Sequence, residues 1–427
     1  MINVANVVLY GQKIGTVLSD EDGICRFEYA PEFVSKGIEP SPLLMRADEG
    51  VVYTFRSLSR ETFHGLPGML ADSLPDSFGR DLLDRWLQEN GRTQANAVET
   101  LCFQGRRCMG ALEYEPARDL SLEESEPIEL TRLVETARLA MSGKESLDAN
   151  LYEDRNRALM EIIKVGTSAG GQRAKAVIAL NDTTGEIRSG QITAPEGFDY
   201  WLLKFDGFDS NGKPVQAGNF GRREYAFHKT VLDAGIDMTE CRLIHENGRA
   251  HFMTKRFDRQ NGRKIHMQTL CGLAHFDFRT PGAYSYEQAL MVMRRLGLPY
   301  PQFTELFRRM VYNVFAVNRD DHTKNISFLM DENGKWRLSP AYDMGLSYNP
   351  LGAFTSLHQM SICGKREGIT RADLLVFADK ENISGAEQII EQVESAVMNF
   401  PRYAAEVGVP TDEINAIMSV IDEKRPR

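Results

Sequence analysis

The apolar residues of this chain change their period along its length, and that change bounds what it can fold into. Over residues 1–60 apolar and polar residues alternate between turn signals: Val7-Val8-Leu9-Tyr10 runs into Gly11-Gln12, Ile14–Leu18 into Ser19–Gly23, and Cys25–Tyr29 follows. A period of two marks short antiparallel strands joined as hairpins. Leu82, Leu83, Trp86 and Leu87 instead share one helical face over Arg80–Glu89, with Pro75 at the helix start. The carboxylate-rich, proline-bearing stretch Glu113–Glu126 reads as a linker. Beyond it the pattern predicts a helix from Leu130 to Met141, a glycine-rich turn at Gly166–Gly171, and strands at Ala174–Leu180 and Tyr200–Phe205. A helix from Arg222 to Ala234 is stopped by Gly235, and from about Leu270 the pattern is mainly helical except around Ser327–Pro340. A β-rich front, a mixed middle and a helical rear predict an α+β protein. At 427 residues the chain is too long for one compact core.

Charge and cysteine usage narrow the function. Lys plus Arg number 50 against 60 Asp plus Glu, a formal net charge of −10, so most of the surface would repel a phosphate backbone. The segment MINVANVVLYGQKIG has neither a basic region nor a sustained apolar run, so no secretory signal is expected. No run approaches the ~18 apolar residues of a membrane span. The six cysteines (Cys25, Cys102, Cys108, Cys241, Cys271, Cys363) form no C-x-x-C, and H-E-x-x-H is absent. Reduced thiols in a cytoplasmic protein are the expectation, with no zinc site and no membrane contact.

The strongest local signal is Asn318-Arg319-Asp320-Asp321-His322-Thr323-Lys324-Asn325, whose core is R-D-x-x-x-x-N. That is the spacing of a protein-kinase catalytic loop: an Asp accepts the attacking hydroxyl's proton, and an Asn five positions on turns back to hold Mg2+. Taken alone the spacing recurs often by chance, and a solvated turn after the apolar helix Phe307–Val317 accounts for it. Tyr342-Asp343-Met344-Gly345 follows a short strand at Trp336–Leu338 and matches a metal-binding D-x-G, or a plain turn aspartate. Trp201-Leu202-Leu203-Lys204 is an apolar strand ending in a lysine, and Glu224 near the next helix start is a carboxylate that can pair with Lys204 or sit exposed at the helix N-terminus. Gly166-Thr167-Ser168-Ala169-Gly170-Gly171-Gln172 offers unobstructed N–H groups, at Gly170 and Gly171 above all, suited to phosphate oxygens. Each piece is weak by itself. Their order, however, is the order in which a kinase lays out its parts. Two departures separate it from ordinary eukaryotic kinases: the loop lysine, Lys324, stands four after Asp320, and His322 sits inside the loop.

With these motifs on the page the chain resembles the HipA serine/threonine kinases, toxins of bacterial toxin–antitoxin pairs. The resemblance adds Leu74–Gly79, Gly105–Leu112, Gln172, Lys175, and Lys255-Arg256-Phe257-Asp258-Arg259 to the motifs above. It implies a two-lobed protein-kinase-like fold with an extra N-terminal β-rich subdomain (1–120), an N-lobe-like region (130–260) and a mainly helical C-terminal lobe (261–427). It implies ATP and Mg2+ as cofactors, Asp320 as base, Asn325 and Asp343 as metal ligands, and Lys204 on the nucleotide phosphates. Arg256 and Phe257 would lie at the adenine hinge and Asp258 near the ribose, with His322 and Tyr342 also lining the nucleotide. Lys255 replaces an acidic hinge residue of the best-known member.

In this family a serine of the glycine-rich loop is self-phosphorylated, and here Ser168 and Thr167 compete, with Ser168 preferred. The implied protein substrates belong to translation, aminoacyl-tRNA synthetases above all. The implied partner is an antitoxin with a helix-turn-helix, through which DNA is reached indirectly. The arginine pairs Arg106-Arg107, Arg222-Arg223 and Arg308-Arg309 read as solvated or carboxylate-bridged. Two other readings remain at this point: a small-molecule kinase of related fold, and an inactive co-repressor beside a DNA-binding antitoxin.

Overall fold

The computed structural model describes residues 2–92, 94–117, 127–141, 162, 173–208 and 218–426. The front of the chain forms an antiparallel sheet from β1 (Val4–Leu9), β2 (Gln12–Ser19), β3 (Cys25–Tyr29), β4 (Val52–Tyr53) and β5 (Leu112–Glu115), in the order β4-β3-β2-β1-β5. Period two is plain in β3, where Cys25, Phe27 and Tyr29 are buried while Arg26 and Glu28 face out. Leu9 and Gln12 pair across Tyr10 and Gly11, both at positive φ (52° and 74°), the backbone that a two-residue hairpin needs. β5 corrects the linker reading of Glu113–Glu126: its first residues close the sheet against β1, since Tyr114 is fully buried opposite Val7. Burying one such aromatic stabilises by roughly 1.5–3 kcal/mol, which outweighs the acidic composition around it.

The helix Ser77–Glu89 begins later than Pro75. Asp76 caps it, its Oδ1 accepting the Gly79 N–H at 2.7 Å. Phe78 and Leu82 enter one core and Leu83 and Leu87 another, so this helix joins two clusters.

A second antiparallel sheet holds β6 (Lys175–Leu180), β7 (Ile187–Ser189), β8 (Asp199–Lys204), β9 (Cys241–Glu246) and β10 (Arg249–Lys255), ordered β7-β6-β8-β10-β9. The helix Leu130–Met141 packs Leu133, Val134 and Ala137 on Ala176, Ile178, Trp201 and Leu203. Across the sheet, the helix Phe220–Asp233 sits almost on the β10 backbone. A Cβ at Gly221 would meet Ala250 O at 2.1 Å, so only glycine permits that approach. Glu224, one turn on, is thereby brought toward the end of β8.

The two-stranded ribbon β11 (Arg259–Gln260) and β12 (Arg263–Lys264) leads into a third sheet, β13 (His266–Thr269), β14 (Ser327–Met330) and β15 (Trp336–Leu338). Around it the rear of the chain is helical, led by Tyr286–Arg295, with a Ser285/Gln288 capping box, and Tyr300–Phe315. Residues 341–370 depart from the helical expectation and carry no helix. Asn349, Pro350, Gly352, Gly364 and Gly368 interrupt any helical run there, and the backbone bonds to the 318–321 loop instead. The architecture is α+β and kinase-like. Among the described residues no helix is long and apolar enough to cross a membrane, and all six cysteines are free.

Candidate active site

The helix Tyr300–Phe315 buries Phe307, Met310, Val311 and Phe315 and stops abruptly. Asn318 N–H reaches back to Asn313 O (2.8 Å) and Val317 N–H to Val314 O (3.4 Å), the paired bonds of a Schellman stop. The left-handed residue in that stop is Val317, at φ 53°, where glycine is usual. A β-branched residue there costs roughly 1–3 kcal/mol. Its complete burial helps to hold it. The chain leaves this stop directly into Asn318–Asn325.

Lys204, at the end of β8, forms ion pairs with both Glu224 Oε1 and Asp343 Oδ1. Burial disfavours the Lys204 charge, but Asp343 and Glu224 overcome it and raise its pKa above the usual lysine value. Burial also works against ionised Asp343, and Lys204 more than compensates, holding that carboxyl below its ordinary range. Asp343 adopts φ 52°, which a short acidic side chain tolerates. Its carbonyl accepts from Asn318 Nδ2 (3.2 Å), which also donates to Asn313 Oδ1 (2.9 Å), so the helix end positions the Asp343 segment.

Asn325 and Asp343 line one pocket together with Asn318, Asp321, His322 and Tyr342. Asn325 Nδ2 donates to Asp320 O (2.8 Å), which folds the loop back on itself and leaves the amide oxygen for another partner. Asp320 lies between Asn318 and the pocket residues Asp321 and His322, its side chain 45% exposed and Oδ1 3.8 Å from His322 Nε2. Burial of the carboxyl raises its pKa, His322 opposes that, and Asp343 and Asp321 add to it. Tyr342 donates to Lys324 O (2.6 Å), and Phe257 lies against it, ring centroids 5.6 Å apart. The fold thus brings Lys204, Glu224, Asp320, His322, Asn325, Tyr342 and Asp343 into one region from four separate stretches of chain.

Arg256 and Asp258 flank Phe257 and turn their side chains inward. Both are buried, and Asp258 accepts from Arg256 Nε (2.9 Å) and Nη2 (2.7 Å), from Arg259 Nη1 (2.8 Å) and from Gly110 N–H (2.7 Å). Asp258 is thus an interior carboxylate with its oxygens taken, and Arg256 is held with it. The Gly110 N–H bond to Asp258 ties the end of the second sheet to the front of the chain. Gly110 permits it, at φ 74° and with its Cβ position 2.9 Å from Met267 N. Lys255 pairs with Asp199 (2.6 Å). Thr167, Ser168, Gly170, Gly171 and Gln172 lie outside the described residues.

Several residues take partners that the motifs do not reveal. Asp321, beside the candidate base, is buried and accepts from Tyr286 OH (2.9 Å) and Gln359 N–H (2.7 Å), with His358 Nδ1 at 3.0 Å. Asp76 pairs its Oδ2 with Lys175, and Asp72 accepts Thr269 N–H (2.7 Å) and hydroxyl (2.8 Å). The Asp76 cap is readable from Pro-Asp-Ser-Phe-Gly. Its partner 99 positions away is not. The arginine pairs are committed within the fold: Arg223 to Glu413 (2.9 Å), Arg309 to Glu305 (2.7 Å), and Arg308 to Ala234 O (2.7 Å).

Known proteins resemble the chain along most of its length. The family model of the HipA N-terminal domain matches residues 5–115, and that of the HipA-like C-terminal domain matches residues 167–400. Among curated relatives, "Putative kinase Y4dM" of Sinorhizobium fredii is 23% identical over 420 residues, covering 93% of this chain and 90% of that protein. A "Putative kinase" of Haemophilus influenzae is 27% identical over 194 residues, which is 39% of this chain and 56% of the relative. This chain thus spans about half of the Haemophilus protein. Among solved structures, HipA of Shewanella oneidensis MR-1, determined with HipB and operator DNA, superposes with a TM-score of 0.67 at 17% identity, covering 98% of this chain and 95% of that one. That likeness supports the fold, and the C-terminal match alone spans more than half of the sequence. On these matches the chain belongs to the HipA family.

Proposed function

We propose that this protein is an ATP- and Mg2+-dependent serine/threonine protein kinase, the HipA-type toxin of a toxin–antitoxin pair. The observation that carries the reading is Lys204 held between Glu224 and Asp343, beside the pocket that Asp343 shares with Asn325. A lysine so placed neutralises nucleotide phosphates, and its helix glutamate keeps it aimed. The donor set fits Mg2+: the Asp343 carboxylate and the Asn325 amide oxygen are hard ligands, and the remaining positions fall to phosphate oxygens and water. Among the described residues no cluster of three His, Cys, Asp or Glu could hold a metal alone. Bound there, the cation would supply charge neutralisation at the phosphates.

Asp320 would accept the proton of the acceptor hydroxyl, and its raised pKa makes it a better base than an ordinary carboxylate. The buried His322 Nδ1, without a hydrogen-bond partner among the described residues, is available to a nucleotide atom. By family likeness we assign the acceptor to translation proteins such as aminoacyl-tRNA synthetases, and self-phosphorylation to Ser168 or Thr167. By the same likeness the partner is a helix-turn-helix antitoxin that reaches DNA on the toxin's behalf. We further propose the boundaries 1–120, 130–260 and 261–427 for its three parts.

The test is transfer of labelled γ-phosphate from ATP, with the product separated into protein and low-mass fractions. Protein labelling that falls by at least about 100-fold in Asp320→Ala is expected. Near-unchanged labelling in that variant refutes the assignment of the base. Label in a small molecule would point to a metabolite kinase, and absence of Mg·ATP binding by titration calorimetry to a scaffold.

A further inference from the structure

Asp320 is the half-exposed member of an acidic pair, and its neighbour Asp321 is buried. Three polar groups from two other stretches of chain close on the Asp321 carboxylate. The Tyr286 hydroxyl donates to Oδ2 (2.9 Å) and the Gln359 N–H to Oδ1 (2.7 Å), while His358 Nδ1 lies 3.0 Å from Oδ2. An ionised carboxylate offers acceptors only, so His358 meets it through a protonated Nδ1. An amide in the same place would turn its NH2 group toward one of these donors and lose a bond.

From Tyr286 the bonds run on without a break. Asn313 Nδ2 donates to the Tyr286 hydroxyl (3.0 Å), and Asn318 Nδ2 donates both to Asn313 Oδ1 (2.9 Å) and to the Asp343 carbonyl (3.2 Å). One relay of buried polar groups therefore connects the backbone of a candidate metal ligand with residues 358 and 359. These are the two ends of a single loop, which leaves at Asp343 and returns at His358. Between its ends the Arg319 N–H donates to Ser347 O (2.9 Å) and the Arg319 guanidinium to Ser356 O, lying 4.8 Å from the centre of the Tyr348 ring. The loop is thus bound to both sequence neighbours of Asp320, while Leu351 and Phe354 at its tip stay exposed.

A buried carboxylate adds little net stability, because its desolvation offsets what its bonds return. What three directed partners do provide is a fixed position. We propose that Asp321 is a positioning residue of phosphoryl transfer: through Tyr286 and His358 it holds the base Asp320 in register with the loop that returns from Asp343. This role rests on the reading of Asp320 as the base and of Asp343 as a metal ligand.

Tyr286→Phe is the sharpest variant, since it deletes one hydroxyl of the relay and leaves every charge in place. Tyr312→Phe is its control, for that hydroxyl is equally buried, lies 2.6 Å from Thr230 Oγ1 and stands outside the relay. Labelled-phosphate transfer at saturating ATP, to the protein itself and to dephosphorylated casein, is measured beside calorimetric Mg·ATP affinity. Tyr286→Phe and Asp321→Asn should each slow transfer by about 10-fold or more with Mg·ATP affinity within about threefold of the intact protein, and the double variant should be no slower than Asp321→Asn. Hydrogen exchange should quicken together over 318–325 and 346–359 in Tyr286→Phe, which keeps the test open if Asp321→Asn does not fold. Transfer at the intact rate in Tyr286→Phe overturns the proposal, as does an equal loss in Tyr312→Phe, the mark of general destabilisation. Weakened Mg·ATP affinity with the saturating rate preserved also overturns it, because the relay would then serve the nucleotide. Intact protein that binds no Mg·ATP, or binds it and transfers no phosphate, is a different result and removes the kinase reading itself.

Discussion

Lys204 and Asp320 show how single residues acquire chemistry from neighbours that are remote in sequence. Lys204 is stabilised in its charged form by Asp343, 139 positions away. An ammonium already held by two carboxylates can exchange one of them for a phosphate without becoming an unpaired buried charge. Partial desolvation of the half-exposed Asp320 carboxyl raises its pKa, and His322 opposes this rise. A base works only when ionised, so the rate falls as pH drops through that raised value. Removing the opposing His322 ring in His322→Ala should move the acid limb of the kcat/KM profile to higher pH. A limb that stays in place or moves down would show that His322 does not act on Asp320 through charge.

Among the elements, the junctions say more than the helices and strands do. The Schellman stop at Val317 sets the direction in which Asn318–Asn325 departs, and Asn318 then carries that direction to Asp343. At the other junction, Asp72 sits against the first turn of the helix Leu270–Ala274, bonded to Thr269, where burial pushes its carboxyl up to about 6. A carboxyl whose folded pKa exceeds its unfolded value favours the fold fully only below the unfolded value, near 4. That contribution is lost as pH rises through about 6. Asp72→Asn retains an acceptor for the Thr269 N–H and has no charge to desolvate. It should therefore be more stable than the parent by about 1–3 kcal/mol at pH 7.5, with the difference vanishing toward pH 4. Urea melts at the two pH values measure this, and an Asp72→Asn protein less stable at both would mean that the carboxylate is used as a charge. Helices such as Leu130–Met141 were legible because one apolar face repeats over three turns. Asp72 was not, because a lone aspartate carries no sign of the threonine it will meet.

Across the whole molecule, two buried carboxylates join the front of the chain to the kinase-like body, one through an ion pair and one through a backbone hydrogen bond. Asp258 links Arg256, Arg259 and the Gly110 backbone, and Asp76 meets Lys175. Burial alone would raise the Asp258 pKa, but Arg256 and Arg259 hold it far below the usual carboxylate range. Asp258→Ala leaves two interior guanidinium groups without their anion and should cost about 3–5 kcal/mol in denaturant unfolding, with Mg·ATP affinity of the folded protein unchanged. Lost nucleotide affinity at full stability would instead put Asp258 at the ribose. The sequence by itself determined the α+β class, the hairpins of the front sheet and the order of the kinase-like motifs, because period and turn chemistry are local properties. It also held the Asp320–Asn325 spacing, five residues that one loop closes with one hydrogen bond. Only the tertiary structure decided that Lys204 takes both Glu224 and Asp343, that Asp258 turns inward, and that β5 closes a sheet. Each of these depends on which distant groups are left unpaired once the cores have closed, and no local pattern encodes that.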